Sequence, residues 1–100
     1  MMALFWTPEA IQDRDDIDED IEADNPVAAL ALDALFAEKA DLPVDHPGLG
    51  KPGRVAGTRE LVAHQNCILV YDTAGDQVRV LRLLHPARQW PPSRSDSQSH

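Results

Sequence analysis

A chain of 100 residues, 43% hydrophobic and 26% charged, has room for one domain around one core. It is too short for a second domain or a large enclosed substrate cavity. The single cysteine, Cys67, excludes an intramolecular disulfide and a cysteine-built zinc cage, and points to a reducing compartment. The net charge of -8 argues against unaided nucleic-acid binding, but it is unevenly spread: residues 1–45 carry 13 acids against Arg14 and Lys39, whereas residues 46–100 carry 7 bases against 4 acids. Any contact with a polyanion therefore falls to the C-terminal half. The opening Met1 to Trp6 lacks a basic start and stops being apolar at Thr7, short of a signal or spanning segment, so a cytoplasmic chain with no membrane contact is expected.

In chain order, Ala3 to Trp6 is a short apolar and aromatic run that suits a first β-strand. Thr7-Pro8 then starts a helix, with Thr7 as N-cap and Pro8 preorganised at the first helical position. That helix runs to about Ala23 on few apolar positions, Ala10, Ile11, Ile17 and Ile21. Acid pairs one turn apart, Asp15/Glu19, Asp16/Asp20 and Asp18/Glu22, each destabilise it by a few tenths of a kcal/mol. Asp24-Asn25-Pro26 ends it and starts another: Asn25 can cap, and Ala28, Leu32, Leu35 and Phe36 keep a helical period to about Ala40. The two make a helical hairpin.

From Leu42 to Gly57, four glycines and three prolines predict a change of direction without regular structure. Gly48-Leu49-Gly50-Lys51-Pro52-Gly53 is not a phosphate loop, because it lacks the GxxxxGK[ST] spacing and a proline follows the lysine. Thr58–His64, Cys67–Asp72 and Gln77–Leu84 are β-rich runs with short links, hence antiparallel strands. In the last of them, alternation assigns Val78, Val80, Arg82 and Leu84 to one face and Arg79, Leu81, Leu83 and His85 to the other. The expected organisation is an α+β domain over residues 1–91, in the order β-α-α-β-β-β with a three-stranded antiparallel sheet, and a disordered tail over 92–100.

Specific segments carry a resemblance. Trp6-Thr7-Pro8-Glu9-Ala10, Asp24-Asn25-Pro26, Asp45-His46-Pro47-Gly48-Leu49-Gly50-Lys51-Pro52-Gly53-Arg54 and Gly57-Thr58-Arg59-Glu60-Leu61-Val62-Ala63-His64-Gln65-Asn66 stand in order. Ile68-Leu69-Val70-Tyr71, Val80-Leu81-Arg82-Leu83-Leu84-His85 and Arg88-Gln89-Trp90-Pro91 follow them. Over about residues 3–91 the chain resembles the RelE/ParE superfamily of growth-inhibiting toxins, each silenced by a protein antitoxin. The resemblance implies one of two activities: one branch cleaves mRNA on the ribosome from the sheet's concave face, and the ParE branch poisons DNA gyrase. Fold alone does not choose between them. Ribosome-dependent cleavers commonly place an arginine before the Leu-Val-Tyr triplet; Ile68 stands there, which tilts the expectation toward gyrase. The acidic first helix is unusual for a toxin and opens a third possibility, an inactive module that only binds antitoxin.

RNA cleavage would need a base for the ribose 2′-OH, cations for the developing charge and an acid for the leaving oxygen. Arg82, His85, His64, Arg59 and Arg88 have the right chemistry, although Arg59 and Arg82 could instead pair with Glu60, Asp72 or the hairpin acids. His46 in Asp45-His46-Pro47 more simply leaves a helix, and Cys67 suits a buried strand. His46, His64 and His85 lack a helical zinc spacing, so neither metal nor cofactor is expected. Leu30, Leu35, Phe36 and Trp90 are candidate antitoxin contacts, since a hairpin on an open sheet leaves an apolar groove and a strand edge for another chain. Oligomeric state is left open.

Overall fold

The structure, a computed structural model, describes residues 2–64 and 67–85. Strand β1 (Ala3–Trp6) leads into helices α1 (Pro8–Asp24) and α2 (Pro26–Asp45), followed by β2 (Lys51–Pro52), β3 (Arg59–His64), β4 (Cys67–Ala74) and β5 (Gln77–Leu84). The sheet order is β1-β5-β4-β3-β2. Neighbours are antiparallel except that β1 runs parallel to β5, a pairing the helical hairpin makes possible by carrying the chain across the sheet before β3 begins. The expected β-α-α-β-β-β order is present, with β2 added at the far edge. Among the described residues, no helix is long and apolar enough to cross a membrane.

Both helix starts are built by the residues that signal them. The Thr7 hydroxyl accepts the Ala10 N–H at 3.2 Å with Pro8 behind it, and the Asn25 side chain accepts the Ala28 N–H at 3.1 Å. Asn25 also closes α1, its backbone N–H donating to the Ile21 carbonyl at 2.7 Å, so one residue separates the helices and holds them as a hairpin. The hairpin buries Ala10 and Ile17 from α1, and Leu32, Phe36 and Ala40 from α2, against Ala63, Cys67, Leu69, Tyr71, Val78, Val80 and Leu83 of the sheet.

Three departures from the sequence expectation have local causes. Helix α2 continues past Ala40 to Asp45 with Pro43 inside it. Proline cannot donate to the Lys39 carbonyl, but Pro43 is fully buried, and the His46 N–H closes the last turn on the Leu42 carbonyl at 3.0 Å. Within the expected loop, Lys51 and Pro52 pair with Glu60 and Arg59. Finally, β5 has a bulge: Tyr71 faces Val80 while Val70 faces Arg82, so Leu81 is the extra residue. The alternation therefore changes phase there. Val78, Val80 and Leu83 share the core, and Leu83 does not lie opposite them as strict alternation requires.

Tyr71 ties the glycine and proline loop to this core. Its hydroxyl accepts the Gly50 N–H at 2.9 Å and donates to the Pro47 carbonyl at 2.7 Å, so two loop groups are satisfied by one buried side chain. The approach leaves no room at Gly50, where a Cβ would sit 2.9 Å from both the Glu60 carbonyl oxygen and Tyr71 Cε1. Gly50→Ala is expected to destabilise the fold by about 1–3 kcal/mol, as overpacking does, read as a lower urea midpoint at unchanged slope.

Candidate functional site

Strand β1 ends at Trp6, opposite Val80, which leaves the outer edge of β5 uncovered from Leu81 onward. The start of α1 completes that edge. The Thr7 N–H donates to the Val80 carbonyl at 3.0 Å, the Thr7 hydroxyl to the Leu81 carbonyl at 3.1 Å, and Asp13 accepts the Leu83 N–H at 3.1 Å. Asp13 does more: its carboxylate receives Arg82 in a fork, Nε to Oδ2 at 2.6 Å and Nη2 to Oδ1 at 2.9 Å. The side chains are 25% exposed for Arg82 and 4% for Asp13. Its hydrogen bonds to the Asp13 carboxylate raise the Arg82 pKa, so this cation is held in its charged form.

Arg59, Arg79 and Arg54 are engaged as well. Arg59 donates to the Gly50 carbonyl at 2.6 Å and toward that of Gly48 at 3.5 Å, holding the same loop as Tyr71. Arg79, which sequence reasoning passed over, forks onto its cross-strand neighbour Asp72 at 2.6 and 2.8 Å. Arg54 lies 3.4 Å from the buried Glu60, which also accepts the Arg54 backbone N–H at 3.0 Å. His64 pairs with Cys67 and Ile68 with Leu84, so His64 and His85 stand at the same end of the sheet, two strands and roughly 10 Å apart. Arg59 is five residues from that end. Arg88 and Trp90, with the tail over 92–100, lie outside the described residues. Cys67 is buried, and burial pushes its thiol pKa up, away from the reactive thiolate.

The hairpin offers a different kind of surface. Ile21 of α1, Ala28, Ala31, Leu32 and Leu35 of α2, and His64 at the end of β3 line an open, mainly apolar groove of about 320 Å³. One turn apart on the outside of α2, Val27 and Leu30 are 75% and 74% exposed. Leu30 also lines a second, smaller groove with Pro26, Ala29 and the carboxylates of Asp18, Glu22 and Asp33. Of the expected contact residues, Leu30 and Leu35 lie on this surface. Phe36 is 0% exposed and belongs to the core, because Leu32, Phe36 and Ala40 form the inward stripe of α2. His64 lies with the groove, away from Arg82.

The fold is a small α+β domain whose sheet arginines Arg59, Arg79 and Arg82 are all engaged and whose hairpin leaves an apolar strip open. The comparisons give the family. The model of the ParE toxin of type II toxin-antitoxin systems, parDE, matches residues 4–90. Protein Y4kP of Sinorhizobium fredii (strain NBRC 101917 / NGR234) is 38% identical over 89 residues, covering 88% of this chain and 92% of the relative. A structure of the chromosomal ParDE system of P. aeruginosa superposes with a TM-score of 0.76 at 27% identity, over 85% of this chain and 96% of that one. The solution structure of HP0894 from Helicobacter pylori shares the fold, with a TM-score of 0.57 at 20% identity over 88% and 98%. The chain belongs to the ParE toxin family. It is a toxin of a type II toxin-antitoxin system, and a cognate antitoxin is its partner.

Proposed function

We propose that this toxin arrests growth by poisoning DNA gyrase and does not itself cleave RNA, and that its antitoxin covers the groove and the Leu30 side of α2. The observation that carries the first part is the closed fork between Arg82 and Asp13. A cation that stabilises a phosphorane must be free to meet new charge as it develops, whereas Arg82 already answers a buried carboxylate. Arg59, turned to the loop carbonyls, is equally engaged. The ParDE system among the similar structures supports the same reading. For the antitoxin, the support is the exposed Val27 and Leu30 beside an open apolar groove, a surface of the kind that receives an amphipathic helix.

A second reading, a ribosome-dependent mRNA interferase, draws on the common end of the sheet shared by His64 and His85. Induced expression separates the two, and separates both from an inactive antitoxin-binding module. Growth arrest with a relaxed or cleaved reporter plasmid and intact mRNA is the expected result. Arrest with new RNA 5′ ends inside ribosome-bound codons and normal plasmid topology would replace it with the interferase. No arrest at full soluble expression would leave the module. Under the gyrase reading, His85→Ala and His64→Ala both keep growth arrest.

A further inference from the structure

The seam between α1 and α2, beside Leu30, contains a charge arrangement that core packing does not explain. Arg14 of α1 forks onto Asp33 of α2, Nε to Oδ1 at 2.6 Å and Nη2 to Oδ2 at 2.9 Å, and Nη2 also approaches the Asp33 carbonyl at 3.3 Å. The guanidinium carbon stands 4.8 Å from the centre of the Trp6 ring, so β1 fixes the arginine from the other side without adding charge. One turn further along α1, Asp18 lines the same groove as Asp33. The Asp18 Oδ1 atom is shielded from solvent and meets no donor among the described residues.

Two carboxylates crowded into one groove repel when both are ionised, and a shielded oxygen without a donor is unfavourable as part of an anion. One proton resolves both difficulties. We propose that the folded hairpin holds a proton between Asp18 and Asp33, and that losing it loosens the seam between α1 and α2. The charged groups facing the pair are Arg14, Asp15 and Glu22 from α1 and Asp33 from α2; Trp6 of β1 and Pro26, Ala29 and Leu30 of α2 contribute none. Arg14 is committed to Asp33, so the proton sits on Asp18. Shielding from water, then the Asp33 carboxylate beside it, pushes the Asp18 carboxyl up to about 7, whereas the Arg14 fork holds Asp33 below the usual carboxylate range.

The sign follows from linkage. Below the ordinary carboxylate value, folded and unfolded chains both carry the Asp18 proton, and its stabilisation is fully present. Between about 4 and the folded value near 7, only the folded chain keeps it. Over that window the folding equilibrium constant loses up to about tenfold per pH unit through this one group, and above it the loss is complete. Asp33 acts on the other side: its stabilisation is present above the ordinary value and lost as the pH falls through its depressed one.

Carboxyl-carbon NMR titration of Asp18 in the full-length chain tests the proposal directly. A midpoint more than about one unit above the ordinary aspartate value of about 3.9 is the expected result, and a midpoint within that unit overturns it. Asp18→Asn supplies an independent readout, because the amide can donate to Asp33 at every pH. The ratio of the wild-type to the Asp18→Asn folding constant is expected to fall steadily from about pH 4 to 7, and a flat ratio contradicts the proposal. Should that variant fail to fold, the wild-type titration decides alone.

Discussion

Asp13→Ala is expected to destabilise the domain by about 3–5 kcal/mol, a large part of the total for a chain of this size. Two donors lose this carboxylate at once. Arg82, 25% exposed in its side chain, keeps its charge with its carboxylate gone, and the Leu83 N–H on the uncovered edge of β5 loses its acceptor. Asp13→Asn should fall in between, since an amide oxygen can still receive the Leu83 N–H but answers no charge. Removing both ends of the pair, Asp13→Leu with Arg82→Met, should recover much of the loss, because the penalty arises from removing one member of a half-buried charge pair and keeping the other. Urea unfolding of the wild type, Asp13→Leu, Arg82→Met and the double variant reads the coupling. A single Asp13→Ala loss below about 1 kcal/mol, the range of exposed pairs, would mean that the fork is a surface contact.

Phe36→Ala is the second large effect, also about 3–5 kcal/mol, because the ring is fully buried between the hairpin and the sheet and its removal opens a cavity among Leu32, Ala40 and the strands. Leu30→Ala on the same helix should change stability by no more than about 0.5 kcal/mol, being 74% exposed. The two substitutions are expected to separate in partner binding as well. With protein that remains folded, Phe36→Ala leaves antitoxin affinity near wild type, whereas Leu30→Ala weakens it. Thermal unfolding and titration calorimetry with the antitoxin check both; equal affinity losses would place Phe36 at the partner surface.

Much of the fold could be read from local chemistry. Thr7-Pro8 and Asn25-Pro26 announce helix starts because the caps and the proline satisfy requirements within four residues. The strands on either side of Gly75 are equally local, since the turn needs a residue at positive φ, +61° here. What escaped were features set at long range. The bulge at Leu81 depends on how β5 meets β4 and on where β1 ends, so strict alternation misplaced Leu83. Pro43 reads as a stop, yet burial carries the helix through it.

The site shows the same division. The cations of the C-terminal half were visible, but their partners were not: Arg82 answers an acid 69 residues away. A signal for that partner did exist. Asp13 lies three residues after Ala10 and four before Ile17, on the same helical stripe, and an acid on a buried stripe must meet a donor. The groove on the hairpin was legible only as a class of surface, because Ile21, Ala31 and His64 come together from three separate elements.

Supercoiling of relaxed plasmid by purified gyrase, with the toxin added and then with toxin and antitoxin together, tests the proposed mode of action most directly. Toxin alone should stop supercoiling and trap cleaved plasmid, and the antitoxin should restore the reaction. Unimpaired supercoiling at saturating toxin, together with codon-specific cuts in ribosome-bound mRNA, would contradict the account and return Arg82 and His85 to the chemistry of an RNA-cutting site.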